Sequence, residues 1–142
     1  MPNLARMDFA EDAGMAWVRA DTHPAIPFEI LNDDETPVSL SGAQIVMDIY
    51  ESLGGPRMAR LRTAGAPAAS PVVPEGTITI SDAANGLGQI DQVPPSVTGA
   101  LLASGSRRKA RRWYTFEVTW DASPDVVITP FGGYIDVMPD GA

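Results

Sequence analysis

Asn32-Asp-Asp-Glu-Thr-Pro37-Val-Ser-Leu-Ser-Gly42-Ala-Gln-Ile-Val-Met47-Asp-Ile-Tyr50 reads as an acidic turn, a short segment around Pro37 to Leu40, a corner at Gly42 and then a strand. In that strand Ile45, Met47 and Ile49 point one way, while Gln44, Val46, Asp48 and Tyr50 point the other. Alternation with a period of two, bounded by turn residues, predicts a strand with one face in a core and one towards solvent. The pattern continues towards the N-terminus. Met15 to Ala20 reads as a first strand, and after the His23-Pro24 break Ile26, Phe28 and Ile30 alternate in a second. Pro27 cannot donate to a ladder, so that strand should begin there or lie on an edge.

Towards the C-terminus, Thr77-Ile-Thr-Ile-Ser81 places Ile78 and Ile80 inward. Asn85-Gly86 supplies a turn that can take positive φ, and Gln89 to Val93 returns as the hairpin partner. Pro94 to Ala103 predicts one short helical turn, capped by Ser96 or Thr98 and packed through Leu101 and Leu102. The strongest strand is Trp113 to Trp120, with Tyr114, Phe116, Val118 and Trp120 on one face. Val126 to Ile128 and Gly133 to Val137 form a closing strand, and a bulge is expected at the interruption Pro130-Phe-Gly-Gly133. Together these elements predict an all-β domain with one short helical turn: a single antiparallel β-sandwich of about seven strands, immunoglobulin-like or jelly-roll. Residues 1–13 read as an N-terminal arm and 14–142 as the domain. Within it, 53–76 is a long loop, ragged strand at Arg57 to Arg62 and Ala/Pro-rich beyond, and loops of that length are usually functional or mobile.

Composition narrows the function classes. The 142 residues suit one core, and 44% hydrophobic with 20% charged residues is ordinary globular composition. The absence of cysteine excludes disulfides, thiolate zinc sites and cysteine nucleophiles. There is no run of about 18 apolar residues and no apolar signal core at the N-terminus, so neither a membrane span nor an export signal is expected. The net charge is -8, yet Arg107, Arg108, Lys109, Arg111 and Arg112 place five of the ten basic residues within six positions. The rest of the chain carries five positive charges against 18 negative. It is an acidic body with one basic knot.

Few residues invite a chemical role. His23 is the single histidine and has no serine or carboxylate beside it in an elbow or triad pattern, so it reads as a turn residue. Asp33, Asp34 and Glu35 lack the alternate spacing, glycine turn and distal glutamate of a calcium loop, and read as a solvated turn. Asp82 with Asn85 reads as an Asx-type turn. The basic knot, followed by Trp113 and Tyr114, has the composition of a phosphate- or base-binding patch. The acidic body opposes a polyanion, so docking on an acidic protein neighbour or a plain solvated loop is preferred over nucleic acid. No enzyme, metal site or cofactor is expected. Contacts with other proteins are expected through Arg57, Arg60 and Arg62 of the long loop and through Arg107, Arg108, Lys109, Arg111 and Arg112 of the knot.

Three blocks carry a resemblance: the turn, Pro-Val-x-Leu-x-Gly and alternating strand of 32–50; the Thr77 to Val93 hairpin with its Pro-Ser-Val-Thr-x-x-Leu-Leu continuation; and Trp-Tyr-Thr-Phe-Glu-Val from Trp113, leading to Val-Ile-Thr-Pro-Phe-Gly-Gly-Tyr-Ile-Asp-Val ending at Val137. In this order they resemble small β-sandwich virion proteins of tailed bacteriophages, similar to the N-terminal domain of baseplate upper proteins and related accessory or decoration proteins. The resemblance spans roughly residues 24–138. It implies a structural, non-enzymatic role in the virion, with the major capsid protein or tail and baseplate subunits as partners and many copies in a symmetric assembly. The segment 106–112 and the Ala/Pro loop depart from the pattern and are candidate contact elements of this chain, as is the arm. A different class of function is a carbohydrate-binding sandwich for host recognition, with Trp17, Trp113 or Trp120 as a stacking platform. That reading needs an exposed aromatic.

Overall fold

The computed structural model describes residues 6–9, 15–32, 34–120 and 123–139. These form nine strands and one short helix: β1 (Arg6–Phe9), β2 (Met15–Val18), β3 (Ile26–Leu31), β4 (Ala43–Tyr50), β5 (Arg57–Arg62), β6 (Glu75–Asp82), β7 (Leu87–Ile90), α1 (Pro95–Thr98), β8 (Ala110–Trp120) and β9 (Ser123–Met138). All strands join one sheet in the order β1-β3-β7-β6-β5-β4-β8-β9-β2. The chain is thus mostly β, as its alternation implies.

The strand count and pairing depart from the expected seven or so antiparallel strands. The sheet is continuous and mixed, with β5 parallel to β6 and β2 parallel to β9. A parallel return needs a connection of about a dozen residues, and the Ala/Pro segment 63–74 provides that length. The expected long loop 53–76 therefore resolves into a tight turn, β5 and this crossover. Strand β6 belongs to both halves of the sheet. Its first residues, Glu75 to Thr77, pair with β5, while Ile78 to Asp82 pair with β7. The sheet curls at this handover, so that Phe28 of β3 meets Phe116 of β8 edge to face at 5.1 Å across the core. Within the arm, Arg6–Phe9 pairs antiparallel with β3 along 28–31. Pro27 lies just beyond that pairing, where β3 needs no N–H on that side.

The core follows the alternation. Ile45, Met47, Ile49 and Phe116 have no solvent exposure, and Ile78, Tyr114 and Val118 are buried beside them. Burying each large apolar side chain contributes about 1.5–3 kcal/mol. The 77–93 hairpin forms, with Gly86 alone taking the positive φ of its turn. The bulge expected in the closing strand is present: between Phe116 and Val118 the partner register moves from Phe131 to Ile128, adding one residue to β9. The helical turn is also present, α1 continuing as a 3-10 turn over Gly99–Leu101 with Leu101 and Leu102 buried. Its expected capping is corrected. The N-cap is Pro94 with no side-chain bond, and the Thr98 hydroxyl donates instead to the Asp21 carbonyl at 2.8 Å. A side chain one turn inside the helix cannot reach the first free N–H groups.

Candidate functional site

The outward face of β5, β4, β8 and β9 gathers the residues that neither the core nor the turns use. Because the register opposes Asp48 to Arg60, the buried Asp48 carboxylate receives Arg60 in a bidentate pair, Nε to Oδ1 at 2.8 Å and Nη2 to Oδ2 at 3.1 Å. This bonding raises the Arg60 pKa above its ordinary value. Arg57 Nε lies 3.2 Å from the same carboxylate but is misaligned for a hydrogen bond, so charge alone holds it. Arg62 pairs with Glu75 at 3.0 Å, and its guanidinium holds that carboxyl below the usual range. The same groups clamp the crossover. Arg62 Nη1 donates to the Ala66 carbonyl at 2.6 Å, Arg60 Nη1 to Pro67 at 3.1 Å, and the Ala69 N–H donates to Glu75 at 3.1 Å.

The basic knot divides. Ala110 to Arg112 are already strand, whereas 103–109 is the exposed connection leading into it. Arg111 Nε donates to Asp136 across the β8–β9 ladder at 3.0 Å, and the guanidinium carbon Cζ lies 3.8 Å over the Tyr134 ring. Asp136 is held below its ordinary pKa by that bond, with Lys109 4.0 Å away. Arg112 points to the other side, donating to the Leu101 carbonyl at 2.7 Å, where it satisfies the end of the 3-10 turn, and to Glu51 at 3.3 Å. Arg107 and Arg108 are exposed, and neither guanidinium has a partner among the described residues. Of the eight expected contact cations, six are engaged within the chain and two project.

Sequence reasoning did not join Tyr50, Trp113 and Tyr134. The register places Tyr50 opposite Trp113 and Trp113 opposite Tyr134, giving an aromatic row across three neighbouring strands on the outward face. Trp113 and Tyr134 meet edge to face at 5.8 Å. The β4–β5 turn folds beside the row, closed by the Glu51 N–H to Pro56 and the Gly55 N–H to Ser52. Between turn and row lies a cleft of about 400 Å³ lined by Tyr50, Ser52, Leu53, Trp113 and Thr115. Leu53 is 77% exposed at its lip. The outward parity of Tyr50 and Trp113 was legible, but their being neighbours depends on register.

The other candidates fall into place individually. Trp17 is fully buried, 5.5 Å from the His23 ring, and Trp120 packs against the core with its Nε1 donating to Ser39 at 3.3 Å. Of the three expected platforms, only Trp113 faces outward from the sheet, and it is half-buried rather than exposed. His23 bonds the Pro24 carbonyl at 2.8 Å and pairs with Val93. In the acidic turn, Asp34 accepts from the Thr36 hydroxyl and N–H, which lower its pKa; Asp33 lies outside the described residues. Asn85 Nδ2 donates to the Asp82 carboxylate at 2.8 Å, a side-chain bond in place of the expected Asx turn. A second, polar cleft of about 650 Å³ is bordered by Arg62, Glu75 and Asp91. Asp91 there accepts from Thr77, Thr79 and Gln89. Among the described residues no group of three or more His, Asp or Glu is placed to hold a metal, and no helix is long and apolar enough to cross a membrane. No protein-family model and no curated protein matches the chain.

Proposed function

We propose that the chain is a non-enzymatic structural subunit of a tailed-bacteriophage particle, acting through subunit contacts as a capsid decoration or cement protein or as a tail, baseplate or fibre-attachment module. The two halves of the curled sheet serve as the layers of the β-sandwich that the resemblance implies. The observation carrying this reading is the distribution of the cations. Four arginines of the sheet are hydrogen-bonded within the chain and Arg57 is held by the charge of Asp48, whereas Arg107 and Arg108 project from a connection that departs from the phage-protein pattern. A sheet presenting at a loop two exposed cations that have no partner among the described residues suits docking on an acidic neighbour, and repetition around a symmetric particle multiplies one weak contact.

The test is the double variant Arg107→Glu/Arg108→Glu. It should melt like the wild type, because neither side chain is packed, yet be depleted at least tenfold from purified particles relative to wild type by quantitative mass spectrometry. Full incorporation contradicts the contact. Absence of the wild-type protein from particles contradicts the role.

A further inference from the structure

We propose that the cleft between the β4–β5 turn and the Tyr50–Trp113–Tyr134 row is a binding site for an uncharged saccharide, about one or two pyranose rings in length. Three observations point there. First, half-buried Tyr50 and Trp113 line the cleft from the outward face of the sheet, and register sets Tyr134 beside Trp113 at the end of the row. A pyranose has an apolar C–H face that packs on such rings and a rim of hydroxyls. Second, the cleft supplies partners for that rim: Ser52 and Thr115 hydroxyls, and the backbone of the Gly54-Gly55 turn, where no side chain intervenes. Its volume of about 400 Å³ lies at the small end of ligand sites.

Third, charge selects the ligand. No charged side chain is among the described residues lining the cleft, and the arginines around it are engaged elsewhere, Arg111 with Asp136, Arg57 and Arg60 sharing Asp48, and Arg112 on the Leu101 and Glu51 carbonyls. A nucleotide or acidic peptide would meet no cationic side chain in the described lining and a body of net charge -8 around it. An uncharged ring with one apolar face is the occupant that fits. A proline-rich peptide shares the affinity for aromatic grooves. It lacks the hydroxyl rim that Ser52 and Thr115 would meet. The site stands independently of the particle role, since sugar binding and incorporation into particles fail separately.

The full chain is screened on an array of neutral hexose and N-acetylhexosamine oligosaccharides, and the strongest probe is titrated in solution by tryptophan fluorescence. Trp17 is buried and Trp120 is engaged with Ser39, so the signal should come from Trp113. The expected result is saturable binding that weakens at least tenfold in Trp113→Ala, recovers largely in Trp113→Phe, weakens several-fold in Ser52→Ala and is unchanged in Arg107→Ala/Arg108→Ala. Unaltered circular dichroism of each variant separates loss of the site from loss of the fold. The proposal is overturned if the array gives no binding, if binding survives Trp113→Ala, or if a proline-rich peptide binds the cleft and neutral sugars do not.

Discussion

At Gly86 the backbone holds φ at 68°, and a Cβ there would stand 2.5 Å from the Ile30 carbonyl and 2.9 Å from that of Val38. Both obstacles are backbone of the neighbouring strand and turn, so neither can swing aside. Gly42 has a similar φ of 72° but open space around it. Gly42→Ala should therefore cost only the left-handed penalty of about 1–2 kcal/mol. Gly86→Ala should add about 1–3 kcal/mol of overpacking. Urea denaturation of the two variants checks the order, and equal losses would contradict the packing of β3 against the hairpin. Asp91 gives the matching prediction for charge. Burial acts to raise its pKa, but the bonds from Gln89, Thr77 and Thr79 outweigh this and leave it lowered. A lowered folded-state pKa stabilises fully above the ordinary aspartate value of about 3.9, and that contribution fades as pH falls through the folded value. Asp91→Asn should be less stable than wild type at neutral pH and lose less on going from about pH 4 to about pH 2. Parallel losses in the two proteins would place the acid sensitivity elsewhere.

At the scale of elements, the crossover 63–74 was expected to be a free surface loop, and its Pro and Ala content supports nothing more. The structure ties it down through Arg60, Arg62 and Glu75, with Ala66 and Ala69 buried beneath. Val72 remains 92% exposed as its tip. Glu75→Ala removes both the Arg62 pair and the acceptor for the Ala69 N–H. It should speed elastase cleavage within 64–73 at least several-fold while the melting temperature moves by only a few degrees. Unchanged cleavage would mean that the buried alanines alone hold the segment. The strands themselves were legible, because period-two alternation is a local signal: Ile45, Met47 and Ile49 are all fully buried as their spacing required. The fate of Arg57, Arg60 and Arg62 was not legible. Whether an arginine on a strand is free depends on what stands opposite it, and the position of Asp48 follows from the β4–β5 register and its bulge near Tyr50. The basic knot divided for the same reason, since Arg111 and Arg112 lie on opposite faces of a strand that begins earlier than the aromatic run suggests.

At the scale of the whole molecule, a local pattern can supply strands but not their neighbours. Trp17 pairs in register with Val137, from opposite ends of the chain, and no feature near either residue marks that parallel contact. Trp17, Trp113 and Trp120 looked equivalent as sequence, and only the assembled sheet separates the buried one from the outward one. The three blocks on which the proposed phage-virion reading rests correspond to β4, the β6–β7 hairpin with α1, and β8 with β9, which make up most of the sheet. What surrounds them, the exposed connection 103–109, the clamped crossover and the cleft at the β4–β5 turn, is where this chain has equipment of its own. A subunit that works by repetition must be present in a number set by the symmetry of what it decorates. The most direct measurement is the copy number of this protein per purified phage particle, by quantitative mass spectrometry against the major capsid protein. The proposed role requires a fixed stoichiometry, either matching one ring of the tail or scaling with the capsomers of the shell. Its absence from particles, or a variable sub-stoichiometric amount, would contradict it.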